Sequence, residues 1–555
     1  MARTLWGEVV DKLRSSCAAP TSPDRCERDL KGACYFSLAY FILILGVILL
    51  RNWSNLLTSC ERLTDYVLLS LNVENAKDLM AWTGAYSRLE LRHPGPVLFY
   101  LYAVGDWLFP FIPMPLGRFR LIQFFINGFF LLVAVLAAIK LTRSWMMGII
   151  AGTGALLLSV NSSGSAFGIL AEVWNPFPAI LPAAALILAG GLVMTGQSAW
   201  LPVATAAAVV AAHTHLGALP VIGALYLVII SKWAVVIYKG QGAPWKLSAV
   251  LAAAIGMITS IPMIVEAWVS PYGGNLGAIL RFASDATSAQ PLSAVLQAIG
   301  RHYTKLFECN RSWVSILTPM ALLVLLWIPS RPSPEVGATR TLATLGYLLS
   351  VYSVLRTSGP LYQYLFIYHF GIALVVWMLA IYRAAQWLEI TLPLGMRWRR
   401  GLSVVVSIIL MALLLPQLTR KTPVIDNCPT LGAARLFARG IPRVHNELNH
   451  LVTADERLWH SLAALALVLK RAGREVCVDR LLWYVFDSSL VCAHQENAAP
   501  RGSPRVRTIT MFNLNLHAVP DGAKSVTLKN LGIFWMPIRQ PQGAGGGQKP
   551  SNEPG

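Results

Sequence analysis

About a dozen apolar runs, most of them approaching the ~20 residues that cross a bilayer, recur along this chain of 555 residues. They lie at residues 35–50, 96–112, 120–139, 145–161, 177–194, 199–212, 217–237, 247–265, 313–329, 341–355, 361–382 and 402–418. Runs this long and this frequent can be covered only by lipid and by one another, which restricts the chain to a polytopic α-helical membrane protein. The charge supply agrees. Asp, Glu, Lys and Arg make up 13% of the residues, about half of the ~25% usual in soluble domains. A soluble multidomain enzyme, a disordered chain and a small disulfide scaffold are excluded.

Lys plus Arg number 46 against 27 Asp plus Glu, a formal charge of +19. In a soluble protein that excess suggests nucleic acid. Here basic cytoplasmic loops and lipid headgroups explain it better. The sequence holds no nucleic-acid module, so the lipid bilayer is an expected partner and nucleic acid is not.

Residues 1–34 interleave acids and bases without the pattern of a removable signal, so 35–50 reads as a retained first span behind a cytoplasmic segment. The run 96–112 differs from the others. It places Asp106 beside Gly105 and crowds in Phe99, Tyr100, Tyr102, Trp107, Phe109 and Phe111. Such aromatic density suits the membrane–water interface, and an acid in mid-span is costly. It reads as an interfacial or re-entrant helix within a first extracytoplasmic loop, residues 51–119. With that parity the inside loops carry Lys140, Arg143, Lys232, Lys239, Lys246, Arg331, Arg340, Arg397, Arg399 and Arg400. The short outside loops at 162–176 and 213–216 carry no Lys or Arg. About eleven spans follow, in an inner (plasma) membrane, with the amino terminus cytoplasmic.

The transmembrane domain is expected over residues 35–419, and a small extracytoplasmic α/β domain over 420–539. In the latter, Asp455 to Ala472 reads as an amphipathic helix and Glu475 to Asp479 as a strand. Val506 to Phe512 and Ser525 to Leu528 read as further strands. Residues 540–555 are Gly/Pro-rich and read as a disordered tail. Cys477 and Cys492 fall in the outer domain, where an oxidising compartment permits a bridge. No C-x-x-C spacing supports zinc or redox chemistry.

No Walker loop, dinucleotide fingerprint, HExxH or GxSxG elbow is present. The first outer loop instead holds Asp65, Glu74, Asp78 and Glu90, followed by Gly84-Ala-Tyr-Ser-Arg88 and His93-Pro-Gly-Pro96. Two prolines around Gly95 make a stiff segment. It can set the angle at which the chain returns to the bilayer, or hold Arg92 and His93 against a phosphate at the interface.

This arrangement resembles the GT-C superfamily of membrane glycosyltransferases, which use polyprenyl-phosphate sugars. Gly84-Ala-Tyr-Ser-Arg88 with His93-Pro-Gly-Pro96 is similar to a group of bacterial, chiefly actinobacterial, GT-C-like proteins. Trp174-Asn-Pro176, His213-Thr-His-Leu216 and Gly274-Asn-Leu276 also look like that group's pattern, and the resemblance covers residues 37–370. It implies an inverting glycosyltransferase that moves a sugar from a polyprenyl-phosphate donor to a cell-envelope glycan, lipid or protein acceptor.

Asp65 corresponds to the superfamily's first-loop acid, a general base that takes the proton of an attacking hydroxyl. Asp78 and Glu90 are further candidates for that role. Glu172 lies in the second outer loop, where it can contact the acceptor, support a divalent cation, or simply pair with Arg118 or Arg120. Asp65 is followed by Tyr66 rather than a second acid, which leaves a requirement for Mg or Mn open. The donor phosphate calls for fixed cations; the outer-side candidates are Arg88, Arg92, His93, Arg118, Arg120, Arg281, Arg301, His302, Lys305 and Arg356. His213 and His215, two residues apart, cannot readily share one ion on a helix and read better as a polar rim or acceptor contact. Tyr362, Tyr364 and His369 are candidates for a lipid or acceptor cleft. The rival readings are a multi-span transporter or flippase of a lipid-linked or small solute, and an inactive assembly protein of the same fold.

Overall fold

The computed structural model describes residues 23–391, with breaks at 60, 62–63, 88–90, 164–166, 242–243, 271–273, 286–289, 306–310, 329–332 and 358. It also describes residues 405, 409 and 412, and 429–535 with breaks at 443–446, 454–457, 480–484, 493–504, 514–522 and 529–530. Two compact units result. The larger takes residues 1–60 and 81–426, the smaller 61–80 and 427–555.

In chain order the helices begin with α1 (Pro23–Arg51), α2 (Trp53–Thr58) and α3 (Thr64–Lys77). A short antiparallel pair, β1 (Tyr86–Ser87) and β2 (Leu91–Arg92), leads to α4 (Val97–Leu108) and α5 (Pro115–Thr142). Next come α6 (Trp145–Ser163), α7 (Phe167–Ala171), α8 (Ile180–Val193), α9 (Leu201–Thr214), α10 (Leu219–Tyr238) and α11 (Lys246–Val269). The larger unit continues with α12 (Gly274–Asp285), α13 (Leu292–Thr304), α14 (Ser312–Trp327), α15 (Pro334–Leu355) and α16 (His369–Thr391).

Among the described residues five helical segments are long and apolar enough to cross a membrane: Cys34–Arg51, Pro115–Thr142, Leu216–Tyr238, Lys246–Val269 and His369–Trp387. Shorter apolar helices, including α4, α6, α9 and α14, accompany them. The apolar run at 402–418 lies outside the described residues apart from 405, 409 and 412, as do the segments 1–22 and 540–555. Prolines at the first or second position of α5, α9, α10 and α15 suit the turn where a backbone N–H has no helical partner. Every residue of α8 is buried. Apolar all round, it forms the axis against which α5, α9, α15 and α16 pack. Helix α11 is the opposite case: Val250, Met257, Ile258, Ile261 and Ile264 are exposed along it, a surface suited to acyl chains rather than water.

Helix α4 has 12 residues, a rise of about 18 Å against a hydrocarbon core of ~30 Å. Its Asp106 is not left uncompensated. Arg118 Nη1 donates to Asp106 Oδ1 at 3.0 Å, while Arg118 Nε donates to the Ile112 carbonyl at 2.7 Å. Helices α12 and α13 sit in the stretch between α11 and α14 that shows no apolar run. They are amphipathic, so hydropathy averaging hides them.

The smaller unit adds α17 (Pro429–Gly440), β3 (Glu447–Thr453), α18 (Trp459–Arg471), β4 (Glu475–Val478), β5 (Arg505–Asn513), β6 (Lys524–Leu528) and β7 (Leu531–Trp535). The sheet order is β4-β3-β5-β7-β6. Strands β4, β3 and β5 are parallel, and β5, β7 and β6 antiparallel. Helix α18 is the crossover between β3 and β4, and a disulfide joins Cys477 on β4 to Cys492. The expected helix and three strands are present, and β3, β7 and α17 join them. Helix α3 packs against α18. Arg471 on α18 donates through Nη2 to Glu61 Oε1 at 2.8 Å and through Nε to Glu74 Oε1 at 3.1 Å. Ser70 Oγ also donates to Glu61, at 3.0 Å, and the Glu61 side chain is 3% exposed.

Removing Arg471 strands that carboxylate in the interior of the unit. Arg471→Ala should destabilise the smaller unit by about 3 kcal/mol or more, read as faster hydrogen exchange across α3. Unchanged protection of α3 would show that the pair contributes nothing.

Candidate functional site

The four motif fragments of the larger unit meet at one place. The Gly84 N–H donates to the His93 carbonyl at 2.9 Å, and the His93 N–H donates to Ala85 O at 2.8 Å, which folds the chain into the β1–β2 ribbon. On the ribbon's other side Asn275 does the work of a neighbouring strand. Its Oδ1 accepts from the Arg92 N–H at 2.8 Å, and its Nδ2 donates to the carbonyls of Arg92 at 3.0 Å and His93 at 3.3 Å. Asn275 is itself held by Glu266 at the end of α11, whose two carboxylate oxygens accept its N–H at 3.0 and 2.8 Å. Gly274, with φ +62°, makes this turn. A Cβ there would lie 2.3 Å from Glu266 Oε2, so the position demands glycine on both counts.

His93 ties the ribbon to the next two fragments. The Leu216 N–H donates to His93 Nδ1 at 2.7 Å. The neutral ring then carries its proton on Nε2, which lies 2.5 Å from Asn175 Nδ2; turning that carboxamide over brings its oxygen to accept the proton. Gly95 N–H donates to the His213 carbonyl at 3.2 Å, and a Cβ on Gly95 would lie 2.1 Å from His213 Nδ1. His215 stacks 5.3 Å from His93 and pairs through Nε2 with the Leu365 carbonyl at 2.7 Å. His213 and His215 therefore diverge to different neighbours. Tyr364 joins the rim, its ring 5.4 Å from Trp174 and 5.8 Å from Tyr362.

Burial pushes the His93 imidazole well below its ordinary value, and the charges of His215 and Arg92 push the same way. Burial also takes His215 down to about 4. Both rings are neutral at physiological pH and serve as hydrogen-bonding spacers. Arg92 is 1% exposed, and its Nε donates to the Gly84 carbonyl at 3.0 Å.

The remaining sequence candidates separate by place. Arg118 engages Asp106, and Arg120 Nη1 donates to Ser59 Oγ at 2.8 Å. Glu172 is half-buried and accepts the Trp174 N–H at 3.0 Å. Arg281 on α12 and Arg356 after α15 are exposed, while Arg301 and Lys305 at the end of α13 are half-buried. His302 and His369 are buried, their rings 5.8 Å apart, with Tyr303 5.5 Å from His369. Arg88 and Glu90 lie outside the described residues. Asp65 and Asp78 belong to the smaller unit. Asp65 is exposed in the first turn of α3, where the helix N-terminus favours a carboxylate. Its charge opposes the drop that partial desolvation imposes on His460. Asp78 pairs with Lys470 at 3.1 Å. Among the described residues no three His, Cys, Asp or Glu side chains are grouped to hold a metal ion. The sequence reading gave no role to Asn175, Asn275 or Glu266; the signal that marks the two asparagines is a polar residue beside Pro176 or Gly274, and Glu266 is marked by being an acid within an apolar run.

Two outcomes follow from this geometry. Asn275→Leu leaves the Arg92 N–H and two carbonyls without partners, about 1–3 kcal/mol for each group, and should lower the melting temperature and unprotect residues 84–95. The depressed histidines predict a pH effect of defined sign. Stability from His93 and His215 is complete above the unfolded value of about 6.5 and is lost as pH falls toward about 4. Exchange of the 84–95 and 213–216 amides, corrected for intrinsic rates, should accelerate between pH 7 and 5; a flat profile would contradict it.

No family model matches the chain, and no curated protein matches it. A solved structure does: ArnT from Cupriavidus metallidurans bound to undecaprenyl phosphate, at 13% identity and a TM-score of 0.51, covering 90% of this chain and 98% of that one. That likeness bears on the fold. The chain shares that structure's fold, a polytopic helical membrane protein carrying a small α/β unit.

Proposed function

We propose that this protein is an inverting GT-C glycosyltransferase. It takes a sugar from a polyprenyl-phosphate donor on the extracytoplasmic face and passes it to a hydroxyl of a cell-envelope glycan, lipid or protein. The observation that carries the reading is the near full-length fold likeness to ArnT, a protein bound to undecaprenyl phosphate.

In this reading Asp65 accepts the proton of the acceptor hydroxyl as that oxygen bonds to the sugar's anomeric carbon. The bond from that carbon to the phosphate oxygen breaks from the opposite side, so the configuration inverts. The polyprenyl phosphate departs with the electron pair and needs cations around it. Arg281 and Arg356 suit that task by exposure and the half-buried Arg301 and Lys305 flank the end of α13, whereas Arg92 and Arg118 hold protein groups. The knot of Arg92, His93, Asn175 and Asn275 positions the loop.

Purified protein in nanodiscs, supplied with synthetic polyprenyl-phosphate sugars and an envelope extract, should release free polyprenyl phosphate. Asp65→Asn should lower that rate at least ~100-fold while leaving the melting temperature unchanged. Full activity in Asp65→Asn refutes the base assignment; solute flux without sugar transfer supports a transporter instead.

A further inference from the structure

The smaller unit holds a cavity of about 400 Å³ between α17 and the end of α18. Three of its lining residues are arginines, Arg435, Arg439 and Arg474, and the others are apolar, including Ala438, Ile441 and Pro442. Among the described lining residues there is no carboxylate.

Arg435 and Arg439 stand four residues apart on α17, hence on one face, and α17 contains no acid. The helix dipole accounts for a cation in the last turn, where Arg439 sits. It does not account for Arg435 a turn earlier, which adds like-charge repulsion. Two lining residues, Ile441 and Pro442, have their carbonyls held by guanidinium groups. Arg474 Nη2 donates to the Ile441 carbonyl at 2.9 Å, and Arg507 Nη1 donates to the next carbonyl, Pro442, at 2.9 Å. Arg507 is 6% exposed. Two guanidinium groups are thus anchored on consecutive carbonyls, and two more reach solvent.

We propose that this cavity binds a phosphate group. Several planar guanidinium forks suit the three or four oxygens of a tetrahedral dianion better than the two of a carboxylate. The apolar floor accommodates whatever carries the phosphate. The source is soluble phosphate or a phosphorylated saccharide. The site lies wholly within the smaller unit and does not rest on the transferase reading.

The test is calorimetric titration of the full-length protein in nanodiscs with inorganic pyrophosphate and, separately, glucose 1-phosphate. Saturable binding is expected, weakened about tenfold or more in Arg435→Gln/Arg439→Gln, whose unliganded melting temperature should match that of the parent. Each single substitution should weaken binding in the same direction, which keeps the proposal open to refutation if the double variant misfolds. Tighter binding of glucose 1-phosphate assigns the site to phosphosaccharides, and the reverse order assigns it to soluble phosphate. Absence of saturable binding, or equal affinity in parent and substituted proteins, overturns it.

Discussion

A backbone that leaves helical geometry where the protein buries it must find partners for its N–H and C=O groups inside the protein. The segment 84–95 faces that constraint, and the architecture around it follows from the solution. Its ribbon has two strands of two residues each, far too little to stand alone. Side chains therefore take the place of the missing strands. Asn275 pairs with the backbone of Arg92 on one edge, and His93 reaches across to the start of the Leu216–Tyr238 segment and to Asn175. The helices bearing these residues acquire fixed angles through the same contacts. A single polar knot thus sets how α9, α11 and α12 meet the loop.

The same economy sorts the cations. Arg92 and Arg118 are consumed in holding carbonyls and one acid, while Arg281 and Arg356 lie exposed. Charge count alone treats these residues as equals. Only their neighbours separate a structural guanidinium from one that can meet a ligand.

Much of the architecture was legible from residue order. The runs at 120–139 and 247–265 became α5 and α11, and the helix-strand alternation after residue 455 became α18 and β4. The run at 96–112 became the 12-residue helix α4. Amphipathic α12 and α13 were not legible, because their apolar residues occupy one face and never form a run. Nor could residue order show that Gly84, Asn175, His213 and Gly274 converge. Their spacing along the chain carries no distance information, and each fragment alone looks like an ordinary turn. Strand β3 was hidden for a different reason: Glu447–Thr453 mixes polar and apolar residues without strict alternation.

The smaller unit is assembled from two segments far apart in sequence, residues 61–80 and 427–555. Helix α3 follows closely on the first apolar helix, yet the Arg471 that grips Glu61 lies 410 residues downstream. Closing so long a loop is entropically expensive, though the cost grows only logarithmically with length. During synthesis, α3 emerges with its buried face and Glu61 uncovered, and it stays so until α18 follows with Arg471, 410 residues later. The Arg471–Glu61 contact therefore reports that α18 has been made, and a chain stopped before residue 459 would leave α3 exposed for proteases to find.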